Sequence, residues 1–128
     1  MKLFLDDIRD PYDVFKLTVN PLYESDSDWV IARDYHQFIN IINKFGLPTH
    51  VSLDHDLSYD AYLSENQEGE IDYEKLEEKT GYDCAKWLVE YCLSNNVKVP
   101  NYYVHSANPV GKENIERYLE NSVKHLDL

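Results

Sequence analysis

The chain has 128 residues and is 43% hydrophobic, which is typical of one globular domain with a single core, here residues 1–128. No apolar run approaches the roughly 20 residues that span a membrane, so we expect a cytoplasmic protein with no membrane partner. The net charge of -12 and the lack of a basic stripe argue against an extended nucleic-acid partner, because proteins that follow a phosphate backbone cluster Lys and Arg.

The first predicted element is a short buried strand. Residues 3–5 form an apolar run that is too short for a helix and that ends at Asp6 and Asp7. Residues 10–28 contain two prolines and a polar cluster. We therefore expect mostly loop there, with one helical turn near residues 12–15.

A second strand and a helix are predicted next. Residues 29–32 form another apolar run, and Asp34 suits the N-cap of a helix. Apolar residues recur behind Asp34 at helical spacing until Gly46 and Pro48 end the pattern. This segment is thus predicted to form one strand–helix unit.

The third predicted strand, residues 50–54, also ends in acid and continues into His55 and Asp56. Residues 57–79 then hold eight acidic residues without sustained apolar periodicity. A connection of this length is typically a functional lid or disordered. We predict an acidic insert or lid at 57–79.

Two helices flank the fourth predicted strand. A capping box at residues 80–83, with Asp in place of the usual Glu, begins a helix that contains Cys84 and Cys92. Eight helical residues span about 12 Å, too far for a disulfide, so we expect buried, reduced thiols. Residues 102–104 form the fourth strand, and the last helix begins near Gly111.

Strands that alternate with helices predict an α/β fold with right-handed crossovers and a mostly parallel sheet. Ligands of such sheets bind beyond the carboxyl ends of the strands. Polar groups follow all four predicted strands: Asp6-Asp7, Arg33, Asp54-His55-Asp56 and His105-Ser106-Ala107-Asn108. We therefore expect one functional pocket at this edge.

The carboxylates at this edge are candidate metal ligands. Asp6, Asp7, Asp54 and Asp56 would repel one another without a counterion. Oxygen-only clusters suit Mg²⁺ or Mn²⁺, which also bridge to substrate phosphate. The alternative interpretation is that these residues are helix caps or turn formers.

His55 and His105 are candidates for general acid or base catalysis, because imidazole titrates near neutrality. Either could instead ligate a transition metal or cap a loop through a hydrogen bond. Asp54 is also a candidate catalytic residue, either as a nucleophile or as a metal ligand only.

Five residues are candidates for binding phosphate. Ser106 and Asn108 offer neutral donors, and Lys112 lies at the start of a helix, where free backbone amides attract anions. Arg9 and Arg33 could clamp phosphate with two hydrogen bonds. Each arginine could equally form a salt bridge with a neighbouring Asp.

Residues 5–7, Asp54 and Ser106 resemble the phosphoacceptor receiver domains of two-component signalling. The resemblance implies that Asp6 and Asp7 are the Mg²⁺-binding acidic pair and that Asp54 matches the phosphoacceptor. Ser106 would match the hydroxyl residue that contacts the phosphoryl group. The fifth strand and Lys-Pro step of receivers have no counterpart in the predicted elements.

Four motifs are more similar to a divergent branch, the cyclic-phosphate processing receiver-like family. They are LDDIRDP, LDHDL, TGYDCAKWL and HSANPVGKENI. The resemblance implies a flavodoxin-like three-layer sandwich with a truncated four-stranded sheet. It also implies the processing of cyclic phosphates, such as 2′,3′-cyclic phosphate RNA ends, in RNA repair or conflict systems.

We therefore predict a metal-dependent phosphoesterase that acts on a small phosphate ester, a nucleotide or an RNA end. A cyclic phosphate is the favoured substrate, and a protein partner stays open. Two alternatives remain: a receiver-like signalling module that is phosphorylated at Asp54, and a non-catalytic acidic protein that sequesters a nucleotide or a basic partner.

Overall fold

A parallel sheet forms the centre of the part of the chain that the computed structural model describes, residues 1–57 and 79–126. Its strands are β1 (Lys2–Leu5), β2 (Trp29–Ala32), β3 (His50–Leu53) and β4 (Asn101–Val104). They lie in the order β2-β1-β3-β4, and every pairing is parallel. The predicted α/β fold with a four-stranded parallel sheet is confirmed.

Helices cover both faces of this sheet, because successive strand side chains point to opposite sides. The described helices are α1 (Pro11–Thr18), α2 (Tyr35–Phe45), α3 (Gly81–Asn95) and α4 (Pro109–Leu126). Leu3 and Leu5 pack in one core with residues of α2, α3 and α4. Phe4 packs on the other face with Val14 of α1, Tyr23 and Trp29. The predicted three layers are therefore present.

The predicted helix signals act as expected. Asp34 accepts a hydrogen bond from the Gln37 backbone N–H at 2.8 Å and caps α2. Gly46, at φ 88°, follows the last residue of α2 in a conformation that L-residues with a side chain rarely adopt. The capping box of Thr80 and Asp83 begins α3.

The expectation of mostly loop over residues 10–28 was wrong. α1 is a full eight-residue helix, and two 3-10 turns follow it at Pro21–Tyr23 and Asp26–Asp28. Pro11 begins α1 because its fixed φ and missing N–H suit the first helical position. Asp13 Oδ2 also accepts from the Asp10 N–H at 2.9 Å. For the same reason α4 begins at Pro109, two residues before the predicted start.

Both cysteines are buried free thiols, as predicted, and burial raises the pKa of each. Within the described ranges, no helix is long and apolar enough to cross a membrane. Apart from Leu57 and Lys79, the predicted acidic insert at 57–79 lies outside the described residues.

Candidate metal and phosphate site

The carboxyl ends of β1 and β3 lie side by side in the middle of the sheet. The connection from β1 leads to β2 on one side of this pair, whereas the connection from β3 leads to β4 on the other side. The gap between β1 and β3 is therefore the switch point, where open α/β sheets bind ligands. Asp6 and Asp7 follow β1 and Asp54 follows β3, and one carboxylate oxygen of each lies within 4.8 Å of the others. The topology thus brings three of the four predicted metal ligands together.

Asp6 is a buried carboxylate with several hydrogen-bond donors. Only 1% of the residue is exposed. Its Oδ1 accepts from the backbone N–H of Ile8 at 3.0 Å and of Arg9 at 2.9 Å, and its Oδ2 lies 3.1 Å from His105 Nε2. Burial raises the pKa of Asp6, but the hydrogen bonds from His105 and the two amides outweigh burial and lower it overall. Asp6 is therefore ionised despite its burial.

His105 links Asp6 to two further buried side chains. Its imidazole is 2% exposed and stacks on the Phe4 ring with centroids 4.4 Å apart. His105 Nδ1 lies 2.7 Å from Ser52 Oγ, which lies 2.7 Å from the Tyr23 hydroxyl oxygen. Tyr23, Ser52, His105 and Asp6 thus form one hydrogen-bonded chain, which we call the buried relay.

The ionised end of the buried relay assigns the direction of its first hydrogen bond. An ionised Asp6 only accepts, so His105 Nε2–H donates to it. The Ser52 hydroxyl lies between His105 Nδ1 and the Tyr23 hydroxyl. Burial raises the pKa of Tyr23, so its hydroxyl stays protonated. His105 therefore holds Asp6 with a donor, and the relay continues through Ser52 to Tyr23.

Asp54 occupies a less buried position and shows the opposite pKa shift. Its Oδ1 accepts from the His55 backbone N–H at 2.9 Å. Burial raises its pKa, and so does the charge of Asp6. These effects exceed the lowering by His105, by the His55 amide and by a hydrogen bond from Ser106. The site thus disfavours a second negative charge unless a cation is present.

Two glycines allow α3 and α4 to pack against Asp54 and His55. A Cβ at Gly81 would lie 1.7 Å from the Asp54 backbone oxygen, and a Cβ at Gly111 would lie 2.4 Å from His55 Cγ. Gly81 N–H also donates to the His55 backbone oxygen at 2.8 Å. Residues with a side chain at these positions would displace the loop after β3.

His55 is partly open to solvent. Its side chain is 20% exposed, and its Nδ1 lies 2.9 Å from Asp56 Oδ1. The Asp56 side chain is 59% exposed and lies outside the group formed by the other three aspartates. Asp56 thus contacts His55 at this edge, and its role as a metal ligand remains a prediction.

The two arginines predicted to bind phosphate hold the turn after β1. Arg33 Nη1 donates to the backbone oxygens of Asp6 and Arg9 at 3.3 and 2.7 Å, and its Nη2 pairs with Asp10 at 2.5 Å. This is the salt-bridge alternative left open for Arg33 by the sequence. Arg9 contributes its backbone N–H to Asp6.

The other predicted phosphate-binding residues lie at the start of α4. Asn108 Oδ1 accepts from the Gly111 N–H, and Ser106 Oγ accepts from the Asn108 N–H, both at 3.1 Å. Lys112 Nζ lies 3.9 Å from Glu116. Ser106 and Lys112 line a groove of about 470 Å³ together with His105, so these donors do lie beside the strand ends.

Sequence reasoning missed Ser52, Tyr23 and Gly81. Ser52 was hidden in an apolar strand, where a lone hydroxyl gives little signal. Tyr23 lies in a region predicted to be loop, and only its packing against Trp29 and Phe4 brings it to Ser52. Gly81 is visible in its motif, but only the fold shows what it contacts.

Comparison with known proteins identifies the family. A model of the cyclic-phosphate processing receiver domain matches residues 1–121. No curated protein and no solved structure matches the chain. Because the match covers nearly the whole chain and agrees with the receiver-like fold, the chain belongs to the cyclic-phosphate processing receiver domain family.

Proposed function

We propose that this domain is a metal-dependent phosphoesterase that acts on a small phosphate ester, with a cyclic phosphate as its favoured substrate. The observation behind the proposal is the group of Asp6, Asp7 and Asp54 oxygens within 4.8 Å at the switch point. The description of the family supports the substrate class. RNA ends and a cytoplasmic location stay predictions from the sequence.

The donor set fits Mg²⁺ or Mn²⁺. All three groups offer carboxylate oxygens, which these hard cations prefer. Asp6 is ionised although buried, and its charge raises the pKa of Asp54, so an added cation would relieve a repulsion already present. Asp6, Asp7 and Asp54 would hold the ion, which would supply positive charge to polarise a phosphoryl oxygen.

Hydrolysis of a cyclic phosphate needs two proton movements. Water loses a proton as it attacks phosphorus, one P–O bond breaks, and the leaving ester oxygen gains a proton. His55 suits this work because it is partly exposed and because Asp56 engages its Nδ1. We assign the role of proton acceptor and donor in these two steps to His55 Nε2.

His105 suits a positioning role instead. Both of its ring nitrogens lie within hydrogen-bonding distance of buried partners, Asp6 and Ser52. It therefore fixes the Asp6 carboxylate and keeps it ionised. Ser106 hydrogen-bonds Asp54, and Gly111 at the amino end of α4 lies against His55. Both would bind the remaining phosphoryl oxygens.

The test is a screen of nucleoside 2′,3′-cyclic monophosphates, 3′,5′-cyclic nucleotides and RNA cyclic-phosphate ends with Mg²⁺, Mn²⁺ or EDTA. We expect turnover that requires metal, is lost in Asp54→Asn and is kept in Asp28→Asn. Asp28 is an exposed control because it precedes β2 at the opposite edge of the sheet. Metal-independent turnover, or none with any substrate, would contradict the proposal.

A second candidate is a phosphoacceptor role for Asp54, favoured by the hydrogen bond from Ser106. A small phosphodonor such as acetyl phosphate distinguishes the two functions. A receiver forms a base-labile adduct at Asp54 without turnover of esters, whereas a phosphoesterase releases product continuously.

A further inference from the structure

A groove beside His55 lies apart from the carboxylate group. It has a volume of about 510 Å³ and runs between the start of α3 and the exposed side of α4. Its lining residues are His55, Thr80, Tyr82, Asn114, Arg117, Tyr118 and Asn121. The volume falls within the roughly 300–1,000 Å³ typical of small-molecule sites.

The lining excludes several classes of ligand. No carboxylate is among the described residues that line this groove, although the chain has a net charge of -12, so a metal ion or a basic peptide would find no counter-charge. Its one arginine, Arg117, pairs with Glu113 through an exposed salt bridge, which weakens it as an anion site. The groove along β4, by contrast, is lined by Glu116 and Glu120.

The remaining groups suit a neutral, planar ring with polar edges. The Tyr82 and Tyr118 rings lie with centroids 5.4 Å apart, tilted by 58°. Asn114, Tyr118 and Asn121 are four and then three residues apart, so they share one side of α4. Tyrosine rings stack on bases, and asparagine amides both donate to and accept from base edges.

We propose that this groove binds the nucleoside part of the substrate, which makes nucleoside cyclic phosphates the substrate class; this inference rests on the proposed phosphoesterase function. His55 connects the two sites, because it lines the groove and directly follows Asp54. Its ring lies against Gly111 of α4, the helix that carries both asparagines. A base in the groove therefore places its phosphate at the strand ends.

The first experiment compares substrates that share the cyclic phosphate but differ in the base. Nucleoside 2′,3′-cyclic monophosphates are measured against glycerol 1,2-cyclic phosphate, which has no base. We expect kcat/KM to be at least about 10-fold higher for one or more nucleoside esters, the size of one stacking contact. Equal kcat/KM for the base-free ester overturns the inference and leaves the phosphoesterase proposal intact.

The second experiment removes the polar contacts. In the double variant Asn114→Ala, Asn121→Ala, we expect kcat/KM for nucleoside esters to fall about 3- to 10-fold per lost hydrogen bond, while kcat/KM for the base-free ester stays unchanged. Both positions are exposed, so the variant should fold. Asn40→Ala, exposed on α2 and outside the groove, is the matched control.

Calorimetry with nucleoside 3′-monophosphates separates the two failures, since binding needs no turnover. If no cyclic phosphate is hydrolysed but the double variant loses nucleotide binding, the groove assignment stands and the phosphoesterase proposal fails. If the double variant and Asn40→Ala bind and turn over nucleotides alike, the groove assignment is wrong.

Discussion

The two histidines at the strand ends lie in opposite environments. His105 is 2% exposed, both of its ring nitrogens have side-chain partners, and it stacks on Phe4. His55 is 20% exposed, rests on Gly111 and lines an open groove. The sequence predicts both histidines as candidate acid–base residues, but the fold buries His105 and leaves His55 partly exposed.

The neighbouring aspartates repeat the contrast. The pKa of Asp6 is lowered because hydrogen bonds outweigh its burial, whereas the pKa of Asp54 is raised because burial and the charge of Asp6 outweigh its donors. Asp6 thus carries a fixed charge, whereas Asp54 is suited to exchange protons and ligands. The contrast predicts that substitution of His105 mainly affects stability, whereas substitution of His55 mainly affects activity.

The largest expected effect is on turnover in His55→Ala. Loss of a general acid or base costs about 10²–10⁴-fold in rate, so we expect kcat to fall by that factor while the free energy of unfolding changes little. His36→Ala, an exposed histidine on α2, is the control. If turnover in His55→Ala equals that of wild type, the proposed difference in role between His55 and His105 is wrong.

His105→Ala should mainly affect stability. The substitution leaves the ionised Asp6 and Ser52 without their shared partner, and breaking a buried pair in this way costs about 3–5 kcal/mol. Urea unfolding of His105→Ala and of His55→Ala measures the difference directly. A loss of stability in His105→Ala no larger than in His55→Ala would show that the buried relay does not hold Asp6.

Asp6→Asn and Asp54→Asn should show opposite pH dependence without metal. The contribution of Asp6 is present above the ordinary pKa of 3.8 and is lost as pH falls through its lowered pKa. That of Asp54 is present below 3.8 and is lost as pH rises through its raised pKa. At neutral pH we therefore expect Asp6→Asn to be less stable than wild type.

Asp54→Asn should by the same reasoning be as stable as wild type or more stable at neutral pH. Urea unfolding in EDTA across the acidic to neutral range tests both variants. The same sign of change for both at neutral pH would contradict the two pKa assignments.

The smallest effect is expected in Tyr23→Phe, which removes only the far end of the buried relay. One hydrogen bond contributes about 0.5–1.5 kcal/mol, and the phenyl ring keeps the packing against Trp29 and Phe4. Tyr12→Phe, at an exposed tyrosine, is the control. An unchanged free energy of unfolding in Tyr23→Phe would mean that the hydrogen bond between Tyr23 and Ser52 does not stabilise the fold.

The strand ends could be predicted from the sequence because parallel topology places them at one edge. Asp6, Asp7 and Asp54 needed only that rule to be brought together. The sequence does not predict α1 correctly, because Pro11 is typical of loops and also begins helices. The 3-10 turn at Pro21–Tyr23 has a similar local signal, because Pro21 begins it and Asn20 Oδ1 accepts from the Leu22 N–H at 3.0 Å.

The roles of individual site residues depended on burial, which the sequence does not give. His55 and His105 both follow predicted strands, yet only the fold shows that His55 lies against Gly111 and that His105 contacts Ser52. Arg33 likewise had two interpretations until its contacts with Asp10 and the β1 turn were known.

Metal-dependent stability tests the central claim, a cation site at Asp6, Asp7 and Asp54, most directly. A ligand that binds only the folded state adds about 2.7 kcal/mol at a hundredfold excess over Kd. We predict that Mg²⁺ or Mn²⁺ raises the Tm of wild type and Asp28→Asn far more than NaCl of equal ionic strength, and that Asp54→Asn responds much less. An equal Mn²⁺ response of wild type and Asp54→Asn across a wide concentration range would contradict the site.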